Sequence, residues 1–445
     1  MTQQQLFRDT KPLKLFWLVS IPGAIGMLFS ALYQFVDGVF VGQQLGELNF
    51  AAINLALPFV IVNFALSDLI AVGSSVPISI LHGKKEYQKA NNIFTCSCIL
   101  IVVCAIITGT ILYTLAPYLM NLMGADGELE HLATMYLRVY ALFGPVTTIT
   151  FATDNYLKIC GKIKYSMMLN ILLPILSIIL EFIFLFLLRL PIWSAALASC
   201  TGMVVCSFLA MIRFIGNKQL LKFTKPNFNK HMLKEIGSCG FPIFMNNIAG
   251  RITSITFNTI LLSIGGSRAV SVYGVLMFVD GFIWPILYGI CDSVQPAVGY
   301  NYGQGNFTRV KTLEKYAYFA GAIISLVFAI IIFVIPKPLS LLFVKDADSD
   351  FLNISTIALR IFCFSYLIRW FGNVTQSYML AIEKVKKSLL ISICQSLILP
   401  LLFIVCLLPL ELTGIWLNFP LTSLFTAIIS LFVLKSEKKK EHILN

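Results

Sequence analysis

The chain has 445 residues, of which 58% are hydrophobic and only 12% are charged, and its mean hydropathy is +0.84. A soluble globular domain carries roughly 25% charged residues, so a soluble fold is excluded and lipid is the expected surrounding. The net charge of +12 does not point to nucleic acid, because the basic residues sit in short clusters between long apolar runs and no aromatic-interleaved basic stripe occurs.

A membrane-spanning helix needs about 20 apolar residues. Such runs lie near 13–41, 53–81, 92–115, 132–157, 165–188, 192–214, 239–264, 272–300, 316–335, 352–380, 388–408 and 414–434. The first is too long for the core of a secretion signal and long enough to span. It carries Pro22 and, near its end, Tyr33-Gln34-Phe35-Val36-Asp37, with Tyr33 and Asp37 four apart on one helix face. The fifth carries Ser177 and Glu181, again four apart, and the sixth carries Ser199. The polar, basic stretch 217–238 reads as a linker between an N-terminal lobe, 1–216, and a C-terminal lobe, 239–445. The seventh run holds Arg251, the eighth holds Asp280, Asp292 and Gln295, and the tenth holds Arg360 and Arg369.

The loop charges test this count. Of the 33 Lys and Arg residues, 25 fall on one side of the alternation and four on the other, a bias that a wrong helix count would erase. By the positive-inside rule the basic side is cytoplasmic, and both termini lie on it. The expected location is the plasma membrane, with the chain crossing it many times.

The two lobes repeat one another. A shift of 220 residues brings Pro22 onto Pro242, Gly46 onto Gly266, Gly83 onto Gly303 and Lys89 onto Arg309. A shift of 222 brings Arg138 onto Arg360, Tyr156 onto Tyr378 and Ser166 onto Ser388. Each repeat has six spans and enters from the same side, so the expected fold is all-α, with two six-helix lobes related by a pseudo-twofold axis along the membrane normal. Proteins built this way carry substrate between the halves by alternating access.

The repeat also separates scaffold from chemistry. A charge at the bilayer centre costs about 2.5–3.5 kcal/mol on insertion scales, so intramembrane acids are candidates for function. Asp37 has Phe257 as its mate, and Glu181 has Phe403. At about 1.5 Å per residue, Glu181, 17 residues beyond Lys164, and Asp37, 23 beyond Lys14, reach the same outer half of the bilayer. Two carboxylates packed there repel when both are ionised, which favours uptake of a proton or of Na⁺ between them. Asp154, with Lys158 at i+4, reads as a helix-end salt bridge. Arg138 and Arg360, being mates, read as structural. Asp280 and Asp292 are candidates for attracting a cationic substrate, Arg251 and Arg369 for pairing with those acids or meeting an anion, and Gln34 and Gln295 for further substrate contacts.

No enzyme is indicated. The four histidines fall in loops or the tail, the eleven cysteines include no CxxC pair and lie in or at the ends of apolar runs as packing residues, and no metal-ligand cluster is present. No cofactor is expected beyond H⁺ or Na⁺ as coupling ion, and the expected partners are the lipid bilayer and a small-molecule substrate, with the chain acting as a monomer.

Two strings carry a family resemblance. Tyr33-Gln34-Phe35-Val36-Asp37-Gly38-Val39-Phe40-Val41-Gly42 closes the first span, and Gln295-Pro296-x-x-Gly299-Tyr300-Asn301-Tyr302-Gly303-Gln304-Gly305-Asn306 closes the eighth. In these the chain resembles the MATE family of multidrug and toxin extrusion transporters, its bacterial branch in particular, along nearly its whole length. The resemblance implies cation-coupled antiport of organic, often cationic, compounds by two lobes. It implies a cation site at Tyr33, Asp37, Ser177, Glu181 and Ser199, and a kink at Pro22. The chain departs from the family where Ser177 and Glu181 stand for the usual Asn and Asp, and it lacks the acids some members carry in helices seven and ten. An alternative within the same superfamily is a flippase for a lipid-linked oligosaccharide or another anionic lipid.

Overall fold

The computed structural model describes residues 3, 5–45, 47–215, 220–343 and 348–444, without the side chains of 38, 39, 42, 43, 47, 50, 267, 342, 343 and 438–444. Among these residues every regular element is helical. Within hydrocarbon only a helix, or a closed barrel, satisfies each backbone N–H and C=O without water. The helices are α1 (Pro12–Leu45), α2 (Glu47–Gly83), α3 (Tyr87–Leu122), α4 (Glu128–Thr147), α5 (Ile149–Ile159), α6 (Ile163–Phe182) and α7 (Trp193–Ile215). They continue as α8 (Lys230–Gly303), α9 (Phe307–Val334), α10 (Pro336–Phe343), α11 (Ser349–Ala381), α12 (Val385–Ile393), α13 (Leu399–Leu407) and α14 (Glu411–Leu444).

Among the described residues ten stretches are long and apolar enough to cross a membrane. The twelve expected spans are recovered by two local breaks. The fourth span is the pair α4 and α5, interrupted at Thr148. The eleventh and twelfth are continuous in that count, Val385–Glu437, but separate at a 3₁₀ turn, Leu408–Leu410, followed by Glu411 at φ 51°. In α8, 74 residues long, Gly266 sits at φ 63° and ψ −164°, a backbone conformation open only to glycine. It divides α8 into spans seven and eight. Its repeat mate Gly46 lies outside the described residues.

The chain forms two compact units of six spans each. One contains Met1–Phe244 and Gly299–Phe307, the other Met245–Val298 and Thr308–Asn445. These borders differ from the lobe borders 216 and 239 read from hydropathy. The reason is close helix packing. A methyl group at Gly73 would collide with the Ile236 carbonyl and one at Gly240 with the Leu69 carbonyl. The mates Gly83 and Gly303 pack reciprocally, Gly83 against the carbonyl of Tyr300 and Gly303 against that of Ile80. Small residues let the backbones of α2 and α8 touch there, so the two ends of α8 belong to the first unit. In that unit α1 also packs along α6, and α2 along α3 and α4; in the second, α11 packs along α14.

Of the stretch read as a linker, the described residues 220–238 are tied to the first unit. Asn229 caps α8 by accepting from Met232 N at 2.7 Å, so helix begins at Lys230, within the stretch read as loop. The extended chain before it is strapped to the start of α3. Lys222 N donates to Asn91 Oδ1 at 3.0 Å, Thr224 N to Thr95 Oγ1 at 3.0 Å and Asn227 N to Asn92 Oδ1 at 2.8 Å, while Asn92 Nδ2 returns a bond to Asn227 O at 2.9 Å. An Asn91→Ala, Asn92→Ala variant releases this strap. At a net of about 1 kcal/mol per hydrogen bond, trypsin cleavage after Lys222 then rises roughly tenfold or more. Unchanged cleavage rates contradict the strap.

One expectation about the histidines is corrected. His82 is not in a loop but in the last turn of α2, fully buried, with its ring edge-on to Tyr87 at 5.4 Å. Its loop-like neighbours Gly83, Lys84 and Lys85 concealed that the helix runs on.

Candidate functional site

In the first unit, α1 and α6 bring the two acids together. Tyr33 and Asp37 project from one face of α1, and Ser177 and Glu181 from one face of α6, as the spacing of four requires. The side chains of Ser177 and Glu181 are fully buried. Asp37 and Glu181 face each other at interaction range, and Asp37 also meets Tyr33. Neither oxygen of Glu181 and not the hydroxyl of Ser177 finds a hydrogen-bond partner among the described residues. Tyr33 and Ser199 of α7 share a hydrogen bond between their hydroxyls. Tyr33, Asp37, Glu181 and Ser199 are thus linked in one group, and Ser177 lies one turn from Glu181 on the same face of α6.

Two members were not anticipated. Tyr136 and Tyr140 of α4 are buried, their rings 5.3 Å apart, and both interact with Asp37. The signal was present as two tyrosines four apart in the fourth span, but spacing alone does not say which helix that face meets. Gly202 of α7 makes room for the cluster, since a methyl group there would strike Ser177 Oγ. Beyond Glu181 the helix widens into a π turn, Ile183–Leu187, a distortion often found at functional sites. Phe40 closes on Phe182 at 6.3 Å and Phe186 at 5.2 Å, an aromatic group one to five residues along the two helices from the acids. Such a cluster offers carboxylate and hydroxyl oxygens in a dry setting, which suits a proton or a small hard cation.

In the second unit the equivalent positions hold no acid. Phe257, mate of Asp37, stacks on Tyr273 at 5.7 Å with the rings 7° apart, and on Phe419 at 5.1 Å. Phe403, mate of Glu181, packs on Phe425 at 5.2 Å. Phe257, Tyr273 and Phe419 wall a cavity of about 340 Å³, which Asp280, Arg251 and Arg369 also line. Asp280 is engaged: Arg369 Nη1 donates to its Oδ1 at 2.9 Å and Tyr366 Oη at 2.5 Å. The same guanidinium lies 4.2 Å above the Trp284 ring. A π turn, Cys394–Ile398, carries Gln395 and Ser396 on this cavity; Pro400, four residues on, has no N–H for the Ser396 carbonyl, which accepts from Thr253 Oγ1 at 2.6 Å.

The sequence pattern of the MatE family matches residues 22–183 and again 242–406, once in each half. The chain belongs to the MatE family. This MatE chain is 28% identical over 411 residues to the multidrug export protein MepA of Staphylococcus aureus (strain MSSA476), covering 91% of the chain and 90% of that protein. It is 28% identical over 392 residues to MepA of Staphylococcus saprophyticus, covering 86% and 85%. Its fold matches an outward-facing multidrug resistance MATE family transporter of the MOP superfamily with a TM-score of 0.93, at 24% identity and 99% of each chain. A MATE structure in a bent conformation matches with a TM-score of 0.90, at 25% identity and 99% of each chain. The protein is accordingly a multi-pass membrane transporter and not an enzyme.

The remaining candidates of this MatE protein are dispersed. Pro22 lies inside an unbroken α1, where its missing N–H leaves the carbonyl four residues back without its usual donor. Gln34 is exposed, turned away from the face of Tyr33 and Asp37. Asp292 and Gln295 do not join Asp280. They lie twelve and fifteen residues further along α8, roughly 18 Å or more by helix rise. Gln295 lines a separate pocket of about 20 Å³ with Glu314 and Tyr378, and Asp292 is buried next to Cys291. Arg138 and Arg360 do the same thing in each half: Arg138 lies 5.1 Å over Tyr113 and Arg360 5.5 Å over Phe333, rings that are themselves repeat mates. Asp154 makes the ion pair with Lys158, at 2.7 Å, and accepts further bonds from Ser166 Oγ at 2.5 Å and Asn170 Nδ2 at 2.9 Å.

Proposed function

We propose that this MatE protein is a secondary antiporter that exports organic, chiefly cationic, drugs or metabolites in exchange for H⁺ or Na⁺. The observation that carries the proposal is the juxtaposition of Asp37 and Glu181 in the first unit. An empty pair of buried carboxylates repels itself, and a proton or cation removes the repulsion. The state of the site thus biases the packing of α1 on α6, and a ligand shifts a conformational equilibrium only through such a difference between states. Pro22, with its interrupted hydrogen-bond ladder, gives α1 a point at which to bend. The names of the relatives, multidrug export proteins, agree with the exported class. The bias of the loop charges supports a plasma-membrane protein with both termini in the cytoplasm, and the coupling ion then enters from outside.

The test is dye efflux from vesicles containing the purified protein, with H⁺ and Na⁺ gradients imposed separately. Efflux driven by either gradient alone, and none without a gradient, is the expected result. Efflux that is indifferent to both gradients overturns the proposal.

A further inference from the structure

The geometry points to a second ligand site, the cavity of the second unit, which takes an aromatic compound bearing a carboxylate or similar oxyanion. Three observations carry this. The first is charge. Asp280 is the acid on the cavity wall, and Arg369 compensates it at 2.9 Å. Arg251 is left over. It sits in the middle of a membrane span, lines the same cavity, and among the described residues no carboxylate lies within ion-pair distance of it. An intramembrane cation is costly and normally faces a partner or a water-filled space, and here the cavity of about 340 Å³ is that space. The cavity therefore carries one net positive charge.

The second observation is the arrangement of donors. Asn247, Arg251 and Ser254 follow one another along α8 at intervals of four and three, and all three line the cavity. They form one row on one helix face. A guanidinium fork flanked by an amide and a hydroxyl matches the oxygens of a carboxylate, which an arginine binds through two parallel hydrogen bonds.

The third is the opposing apolar surface. Phe257, Tyr273 and Phe419 are stacked with interplanar angles of 7° to 21°, and Trp284 also lines the cavity, its ring facing Arg369. Flat rings of this kind accept a flat aromatic body. Phe257 stands where the first unit has Asp37, so the repeat has exchanged an ion site for an aromatic wall. The inference goes beyond the coupling chemistry of the first unit and does not depend on it.

The experiment compares two probes on the full-length protein in phosphatidylcholine nanodiscs: a xanthene dye with a free carboxylate, and its ethyl ester. Fluorescence anisotropy gives both Kd values. A charge-assisted pair with Arg251 makes the acid bind about 10- to 100-fold tighter than the ester. Arg251→Gln removes that preference by weakening the acid alone, Arg251→Lys keeps most of it, and Phe257→Ala weakens both dyes. Asp37→Asn keeps the acid preference, which separates this inference from the antiport reading. Equal or tighter binding of the ester by the unaltered protein overturns the proposal, and this holds even where Arg251→Gln does not fold. An acid preference that persists in a folded Arg251→Gln variant also overturns it. Competitive displacement of the acid dye by phosphatidylglycerol in the nanodisc reassigns the site to a lipid headgroup and equally overturns it.

Discussion

The Asp37→Asn, Glu181→Gln double variant loses all gradient-driven dye efflux and remains folded. Both replacements keep shape and hydrogen-bonding capacity and remove only the charge. Glu181 is fully buried, faces Asp37, and has no hydrogen-bond partner of its own among the described residues. Neutralising the pair therefore relieves a like-charge contact, and the amide at position 37 keeps an acceptor for Tyr33. The thermal midpoint in detergent stays level or rises, while efflux under an imposed H⁺ or Na⁺ gradient falls to that of protein-free vesicles. Each single variant alone impairs coupling, because a cation or proton held between two carboxylates loses half of its negative partners. Full efflux by the double variant rules out the carboxylate pair as the coupling site.

Arg369→Met lowers stability by about 2–4 kcal/mol, and Asp280→Asn added to it recovers most of the loss. Arg369 is the one cation within ion-pair distance of Asp280 among the described residues, at 2.9 Å, and both side chains are mostly buried, 25% and 18% exposed. Methionine fills the volume over Trp284 but leaves a carboxylate facing a low-dielectric wall. Asparagine in place of Asp280 keeps an acceptor for the Tyr366 hydroxyl, which now bonds at 2.5 Å, and removes the stranded charge. A thermal-shift double-mutant cycle measures the coupling. If the double variant is no more stable than Arg369→Met, the ion pair is not what holds α8 to α11 at this point. The double change removes one charge of each sign, so the net charge of the cavity and its Arg251-dependent preference stay as they were.

Much of the first-unit site was legible before any coordinates. Tyr33 with Asp37 and Ser177 with Glu181 could be paired because helix periodicity places i and i+4 on one face, and because a charge in an apolar run has few reasons to be there. Tyr136 and Tyr140 obey the same periodicity but carry no charge, and an uncharged aromatic in a span is ordinary packing until its neighbour is known. The second unit was less legible. Asp280, Asp292, Arg251 and Arg369 were equal candidates in the sequence. Only packing shows that Arg369 neutralises Asp280, that Asp292 lies elsewhere along α8, and that Arg251 is left facing the cavity.

The packing of the linker and the borders of the compact units were not legible for a related reason. Hydropathy reports which residues can lie in lipid, not which helices touch. The contacts of Gly73, Gly83, Gly240 and Gly303 are decided by the absence of a side chain on one helix opposite a backbone on another, and glycine contributes little to a hydropathy profile. In the same way Asn91, Asn92 and Thr95 look like ordinary polar residues at a helix start until Lys222, Thr224 and Asn227 are seen bonded to them.

By itself the sequence determined the membrane setting, the twelve spans, the internal repeat and the acid-bearing helix faces of the first unit. Each of these follows from composition, chain order or helical periodicity, which are properties of one segment or of regularly spaced ones. The tertiary structure alone decided which charges are compensated, where the cavity of the second unit lies and which backbones approach closely. Those depend on pairs of residues far apart in the chain, such as Asp280 with Arg369 and Phe257 with Phe419, whose meeting is set by side-chain shape at helix crossings rather than by any local pattern.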